Sequence, residues 1–166
     1  CDHEDLSLAP PRSRAEEYLR LGVPTAKLPV SDYGFPALRP PPAGAREPGA
    51  PLAIGFVGTL VWHKGVHVLL DAAARLPRDR FELLVFGDLE TFPAYVAGLR
   101  RQAEGLPVRF LGGFANEDAA RVYGQLDVLV VPSLWPENSP LVIHEAFQAG
   151  VPVDGARVGG IADLLR

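Results

Sequence analysis

Short apolar runs alternate with segments of helical period from residue 52 to the end of the chain. Most positions of each run are apolar on both sides of the strand, which is typical of strands covered on both faces of a parallel sheet. The alternation therefore predicts an α/β fold with a doubly wound, parallel, Rossmann-like sheet. The predicted strands are 52–57, 81–86, 108–111, 126–131 and 151–153, and the predicted helices among them are 65–76, 92–104, 140–149, 161–166 and one capped by Asn116.

In such a sheet, ligands bind beyond the carboxyl ends of the strands. We therefore expect functional residues in the loops that follow Val57, Phe86, Leu111 and Val131. Three of these four loops contain glycine near the strand end, where a ligand can approach the backbone closely.

The first 51 residues differ from the rest of the chain. A short amphipathic helix is predicted at 13–21, with Tyr18, Leu19 and Leu21 as its apolar residues and Gly22 as its stop signal. The segment 36–51 holds six prolines and two glycines. We interpret 1–35 as the end of a preceding domain with a crossover, 36–51 as a proline-rich linker, and 52–166 as an incomplete Rossmann-like domain. Because the chain has no methionine and begins at Cys1, we expect it to be part of a longer polypeptide.

Composition excludes several classes of protein. The 166 residues are 48% hydrophobic and carry a net charge of −4, which suits one buried core and argues against nucleic acid as a partner. One cysteine excludes an internal disulfide framework, and the sequence encodes no membrane span or signal peptide. We expect a cytoplasmic protein and leave open a peripheral contact of the full-length protein with a membrane.

The loop 58–65 follows the first predicted strand and opens a helix. Its glycines allow close backbone approach, the helix amides favour an anion, and Lys64 adds a positive charge. A turn with a solvent-exposed lysine is the plain alternative. The loop lacks the glycine spacing of a Walker sequence.

The segment 132–145 places two carboxylates around a predicted helix start. Ser139 is a good N-cap residue and Pro140 suits the first helical position, so Glu137 precedes the helix and Glu145 lies more than one turn inside it. Such carboxylates can accept hydrogen bonds from sugar hydroxyls while the helix end faces phosphates. Solvated carboxylates are the alternative for each residue alone.

Several motifs occur in a familiar order from residue 52 onward: FVGTL at 56–60, KG at 64–65, FG at 86–87, VPS at 131–133, the Glu-x7-Glu spacing from Glu137 to Glu145, AGVP at 149–152 and VGG at 158–160. Together they resemble the C-terminal domain of the family 4 (group 1) retaining glycosyltransferases, which have the GT-B fold. The stretch 14–34 resembles the crossover that links the two domains of that fold.

The resemblance implies a nucleotide diphosphate sugar as the donor substrate, no metal or other cofactor, and transfer with retention of configuration. It implies that Lys64 contacts the donor diphosphate, Glu137 the hydroxyls of the transferred sugar, and Glu145 the ribose. Lys64 and Glu137 are thus the catalytic candidates. The remaining donor-binding candidates are Gly58, Thr59, Asn138, Ser139, Pro140 and Leu141, the last four through their backbone.

The resemblance also implies a further, N-terminal domain that holds the acceptor site, so the 166 residues alone are expected to be inactive. Two positions depart from the family pattern. Thr59 replaces a common arginine, and Asp154 places a carboxylate in a strand that is expected to be covered. These departures leave open a non-catalytic, nucleotide-sugar-binding or regulatory module. A dinucleotide-dependent oxidoreductase, which would use Asp88, is a weaker alternative because no Gly-x-Gly-x-x-Gly follows the first strand.

Overall fold

Five parallel strands form a single sheet in the computed structural model, which describes residues 12–29, 31, 34, 37–38 and 49–166. The order across the sheet is β3-β2-β1-β4-β5, which is the strand order of a doubly wound fold. The predicted α/β class is therefore confirmed. The strands are β1 Leu52–Val57, β2 Phe81–Phe86, β3 Val108–Gly112, β4 Val128–Val131 and β5 Val153–Gly155.

Helices cover both faces of the sheet. They are α1 Arg12–Arg20, α2 Val66–Ala73, α3 Pro93–Gln102, α4 Ala119–Tyr123, α5 Leu141–Gln148 and α6 Gly159–Leu164. On one face, α2 and α3 pack on a core that includes Leu83 and Val85. On the other face, α4, α5 and α6 pack on a core that includes Leu84 and Phe86. Side chains of β2 thus alternate between opposite cores, which is why the run Leu83–Phe86 is apolar at successive positions.

The fifth strand begins two residues later than predicted. Gly150 has a left-handed backbone (φ 73°), and the Val151 amide donates to the Ala146 carbonyl at 2.8 Å, so residue 151 belongs to the closing turn of α5. β5 lies at the edge of the sheet, and Asp154 is exposed there. The expectation that Asp154 is buried in a covered strand is wrong for that reason.

Two other local predictions need correction. Asn116 does not cap a helix, because residues Asn116–Asp118 form a 3-10 turn that runs into α4 without a side-chain cap. The predicted apolar face of the first helix is also wrong, since Leu19 is 42% and Leu21 is 75% exposed, whereas Ala15 is buried. The predicted stop at Gly22 is supported, because this residue has φ 88° and the Val23 amide donates to the Tyr18 carbonyl.

The sheet changes winding direction between β1 and β4. The chain leaves β1 towards α2 on one face and leaves β4 towards α5 on the other, so the loops after these neighbouring strands diverge. This divergence creates the crevice in which open α/β sheets bind ligands. Most of the predicted linker 36–51 lies outside the described residues. Within the described part, no helix is long and apolar enough to cross a membrane.

Candidate functional site

The loops after β1 and β4 touch at the winding crossover of the sheet. The Leu134 amide donates to the His63 carbonyl at 2.8 Å. Gly65 lies between the two loops with φ 75°, and a Cβ on it would come within 2.0 Å of the Pro132 carbonyl oxygen. Glycine is therefore required at position 65 both by its backbone and by the close approach of the second loop.

An ion pair joins these loops through predicted site residues. Lys64 Nζ donates to Glu137 Oε1 at 2.7 Å, and the two side chains are 29% and 17% exposed. The short 3-10 turn Trp62–Lys64 aims the lysine across the crevice. The structure thus brings together the two residues that the sequence predicted as catalytic candidates, although their chemical roles stay predictions.

Ser133 is the third member of this cluster, and the sequence analysis did not select it. Its side chain is 1% exposed, and its hydroxyl lies 2.9 Å from Glu137 Oε1 and 3.2 Å from the His63 carbonyl. Both neighbours are acceptors and the hydroxyl has one proton, so it donates to one of them at a time. Ser133 therefore helps to hold Glu137 towards Lys64.

The backbone around Glu137 rests on the start of α6. The Gly160 amide donates to the Glu137 carbonyl at 2.7 Å. A Cβ on Gly160 would lie 1.4 Å from the Asn138 carbonyl oxygen, and one on Gly159 would lie 2.7 Å from the Glu137 carbonyl oxygen. The glycine pair at 159–160 is thus a packing requirement of the loop that carries Glu137.

The start of α5 differs from the prediction. The helix begins at Leu141, and Pro140 is its N-cap residue, in an extended conformation. Ser139 is therefore not the N-cap residue, and its hydroxyl lies 2.8 Å from His144 Nε2. Pro140 has no N–H, so of the four predicted backbone contacts only Asn138, Ser139 and Leu141 have an amide proton to donate.

Glu145 is held from a different direction. It lies on α5, is half-buried, and accepts a hydrogen bond at 2.6 Å from the Tyr123 hydroxyl on α4. Tyr123 is fully buried, and burial, followed by the contact with Glu145, raises the pKa of its hydroxyl. The hydroxyl therefore stays protonated and donates to the carboxylate.

The remaining predicted residues flank this cluster. The Gly58 amide donates to the Phe86 carbonyl at 3.0 Å, and a Cβ on Gly87 would come within 2.1 Å of the Gly58 carbonyl oxygen. Thr59 is exposed at the start of the loop, and Asn138 is exposed beside Glu137. Thr59 presents no charge to the crevice, as expected from the sequence.

Asp88, the basis of the oxidoreductase alternative, has a local role. Its exposed carboxylate accepts hydrogen bonds from the Thr91 hydroxyl and the Glu90 amide, which lower its pKa.

Among the described residues, no cluster of three or more His, Cys, Asp or Glu side chains is arranged to hold a metal. A cavity of about 800 Å³ lies at the amino ends of β1, β2 and β4, beside Leu52, Asp79, Arg80 and Asp127. The predicted site residues follow the carboxyl ends of the strands, so this cavity is separate from them.

The fold and the crevice define a Rossmann-like α/β domain whose ligand site lies between the loops after β1 and β4. Residues 51–166 match the family described as Glycosyl transferases group 1, and the chain belongs to this family. The oxidoreductase alternative is therefore wrong. The predicted resemblance to the group 1 glycosyltransferases is confirmed at the level of the family.

Individual relatives are transferases from diverse organisms. The chain is 33% identical over 119 residues to the sulfoquinovosyl transferase of Arabidopsis thaliana, which covers 72% of this chain and 22% of that protein. It is 37% identical over 127 residues to the D-inositol 3-phosphate glycosyltransferase of Corynebacterium efficiens, and this match covers 70% of this chain and 30% of that protein. The chain thus matches less than a third of the length of either protein.

Solved structures extend the similarity to almost the whole chain. Anabaena HepE, crystallised with UDP-glucose, is 26% identical with a TM-score of 0.80, over 98% of this chain and 47% of HepE. Sucrose-phosphate synthase of Thermosynechococcus elongatus is 29% identical with a TM-score of 0.78, over 96% of this chain and 42% of the synthase. These GT-B neighbours confirm the predicted fold class.

Proposed function

We propose that this chain supplies the donor-binding domain of a glycosyltransferase that uses a nucleotide diphosphate sugar. The contact between Lys64 and Glu137 carries the proposal. It places a cation, which can bind a diphosphate, beside a carboxylate, which can accept hydrogen bonds from sugar hydroxyls, in the crevice of the sheet. The similarity to HepE, which binds UDP-glucose, supports the class of donor.

Each predicted residue has a role in this proposal. Lys64 stabilises the negative charge that develops on the leaving diphosphate, and the first amides of α5 add to this stabilisation. Glu137 accepts hydrogen bonds from hydroxyls of the transferred sugar, and Glu145 accepts them from the ribose. The reaction retains configuration, needs no metal and uses no protein nucleophile, with the leaving diphosphate as its base.

The ion pair also sets the electrostatics of donor binding. In the chain without a ligand, the Lys64 charge is already compensated by Glu137. A diphosphate that enters the crevice competes with this carboxylate for Lys64 and is repelled by it. Glu137 therefore weakens the binding of a bare nucleoside diphosphate while it contributes a contact to the sugar of the intact donor.

The acceptor site belongs to a second domain in this proposal. The chain spans 47% of HepE and 22–30% of the two curated relatives named above, so transfer depends on further protein. We expect the 166 residues alone to bind a nucleotide sugar weakly and to transfer nothing. Transfer by these residues alone would contradict that expectation.

A non-catalytic, nucleotide-sugar-binding module is the second candidate. Thr59 favours it, because its side chain is neutral and exposed where the family often has an arginine. Lys64 is therefore the one lysine or arginine in the loop 58–65 that can contact a diphosphate. Titration of the full-length protein with UDP- and GDP-sugars, with and without candidate acceptors, separates the two functions. A transferase releases nucleoside diphosphate and gives a product whose anomeric NMR coupling matches that of the donor. Binding without release supports the module.

A further inference from the structure

Tyr123 and Glu145 form a contact that the proposed roles leave unexplained. Tyr123 lies on α4 and is 0% exposed, within the same core as Val122, Ile143 and Ala146. Its hydroxyl reaches across to α5 and donates to Glu145 Oε2 at 2.6 Å. A buried phenol is costly unless its hydroxyl has a partner, and here the partner is a residue of the candidate donor site.

The hydrogen bond makes the two carboxylate oxygens of Glu145 unequal. Oε2 is engaged by Tyr123, whereas the described residues provide no hydrogen bond to Oε1. The side chain is half-buried, so part of it still reaches solvent. A bond from a rigid, fully packed phenol also restricts the rotamers of a flexible glutamate before any ligand arrives.

We propose that Tyr123 is a positioning residue, which fixes Glu145 so that Oε1 accepts the hydrogen bonds of the ribose hydroxyls of the donor nucleotide. The proposal rests on the proposed function, since it assigns the ribose to Glu145. Tyr123 itself does not touch the nucleotide. Its contribution is therefore to the recognition of the ribose and not to the chemical step.

The test compares nucleotides that differ only in the ribose hydroxyls. UDP and GDP are titrated calorimetrically into the full-length wild type, and the tighter of the two is compared with its 2′,3′-dideoxy analogue. The ratio of the two affinities measures recognition of the ribose. In Tyr123→Phe we expect the ribonucleotide affinity to fall about 2- to 12-fold, the dideoxy affinity to stay the same, and KM for the donor to rise while kcat is retained.

Tyr95→Phe is the matched control. Its hydroxyl lies 2.9 Å from His67 Nδ1, between α2 and α3, so the variant loses a part-buried hydrogen bond of a tyrosine away from Glu145. We expect its affinity ratio to equal that of the wild type. Glu145→Gln reports the size of the ratio when the ribose carboxylate is lost.

The outcomes separate the two levels of the argument. An unchanged ratio in Tyr123→Phe, together with a lower ratio in Glu145→Gln, overturns the role of Tyr123 and leaves the proposed function intact. A wild type that binds no nucleotide, or binds both analogues equally, overturns the assignment of the ribose to Glu145 and this inference with it. A structure of the wild type with bound nucleotide needs no variant: ribose hydroxyls on Oε1 with Tyr123 on Oε2 support the inference, and ribose on Oε2 overturns it.

Discussion

Glu137 and Glu145 belong to one segment of the chain but are held in different ways. Glu137 lies in a loop and is fixed by a charge and a hydroxyl, Lys64 and Ser133. Glu145 lies on a helix and is fixed by the neutral, buried hydroxyl of Tyr123. The first carboxylate is therefore compensated by a cation and the second is not, which suits one to a site beside a diphosphate and the other to uncharged ribose hydroxyls.

Loss of the cation should have the largest effect. In Lys64→Met we expect kcat for transfer by the full-length enzyme to fall about 100- to 1,000-fold, because the leaving diphosphate loses a preorganised charge and meets an uncompensated Glu137. Steady-state kinetics of nucleoside diphosphate release measure the effect. Arg109→Met is the matched control, since its pair with Glu82 at 3.1 Å is exposed on β3. Equal rates for Lys64→Met and the wild type would remove Lys64 from the site.

A substitution beneath the Glu137 loop should disturb one carboxylate and spare the other. In Gly160→Ala the new Cβ would lie 1.4 Å from the Asn138 carbonyl oxygen, so the backbone must move. We expect the free energy of unfolding to fall by about 1–3 kcal/mol and transfer to fall with it. Chemical denaturation and transfer assays give the two quantities.

Gly98→Ala in α3 is the control for that substitution. The nearest atom to its Cβ is the end of the Arg101 side chain at 3.9 Å. Because an alanine fits there, we expect the free energy of unfolding to rise by about 0.4–1 kcal/mol. Equal changes in the two alanine variants would show that the Glu137 loop does not depend on close packing with α6.

Removal of the second carboxylate should act on binding. In Glu145→Ala we expect donor binding to weaken by about 1–3 kcal/mol, because two ribose hydroxyls lose a charged acceptor. Calorimetric titration with the donor measures the loss. An unchanged affinity would exclude Glu145 from the donor site.

Loss of the Ser133 hydroxyl should give the smallest effect. In Ser133→Ala, Glu137 keeps Lys64 but loses a hydrogen bond at 2.9 Å, so we expect transfer to slow by the equivalent of about 0.5–1.5 kcal/mol. Thr91→Ala, which removes a hydroxyl from the exposed Asp88, is the control. Similar rates in both variants would argue that Lys64 alone orients Glu137.

Sequence patterns predicted the bounds of β1 and β2, whereas β4 and β5 each begin two residues later than predicted. They also placed Lys64 and Glu137 in loops that follow predicted strands. They could not supply the ion pair, because that contact depends on β1 and β4 being neighbours in the sheet, and strand order has no local signal. The predicted start of α5 was wrong by one residue, because Pro140 is extended and is itself the N-cap residue.

Ser133 and Tyr123 were missed for different reasons. Ser133 lay within the VPS motif, so a hydroxyl two residues after the end of a predicted strand was an available signal. Tyr123 had a weaker signal, because a tyrosine at an apolar helical position is usually a core residue, and its partner is distant in sequence. Only packing of α4 against α5 reveals that its hydroxyl has a carboxylate partner.

The affinity of UDP or GDP, whichever binds the wild type more tightly, tests the difference between the two carboxylates most directly. Glu137→Gln removes a charge that competes for Lys64, so we predict that the bare nucleoside diphosphate binds up to about fivefold more tightly. Glu145→Gln replaces the charged ribose acceptor with a neutral amide, so the same ligand should bind more weakly. Opposite shifts in calorimetric titrations of the two variants support one donor site arranged around Lys64, and shifts of the same sign would contradict it.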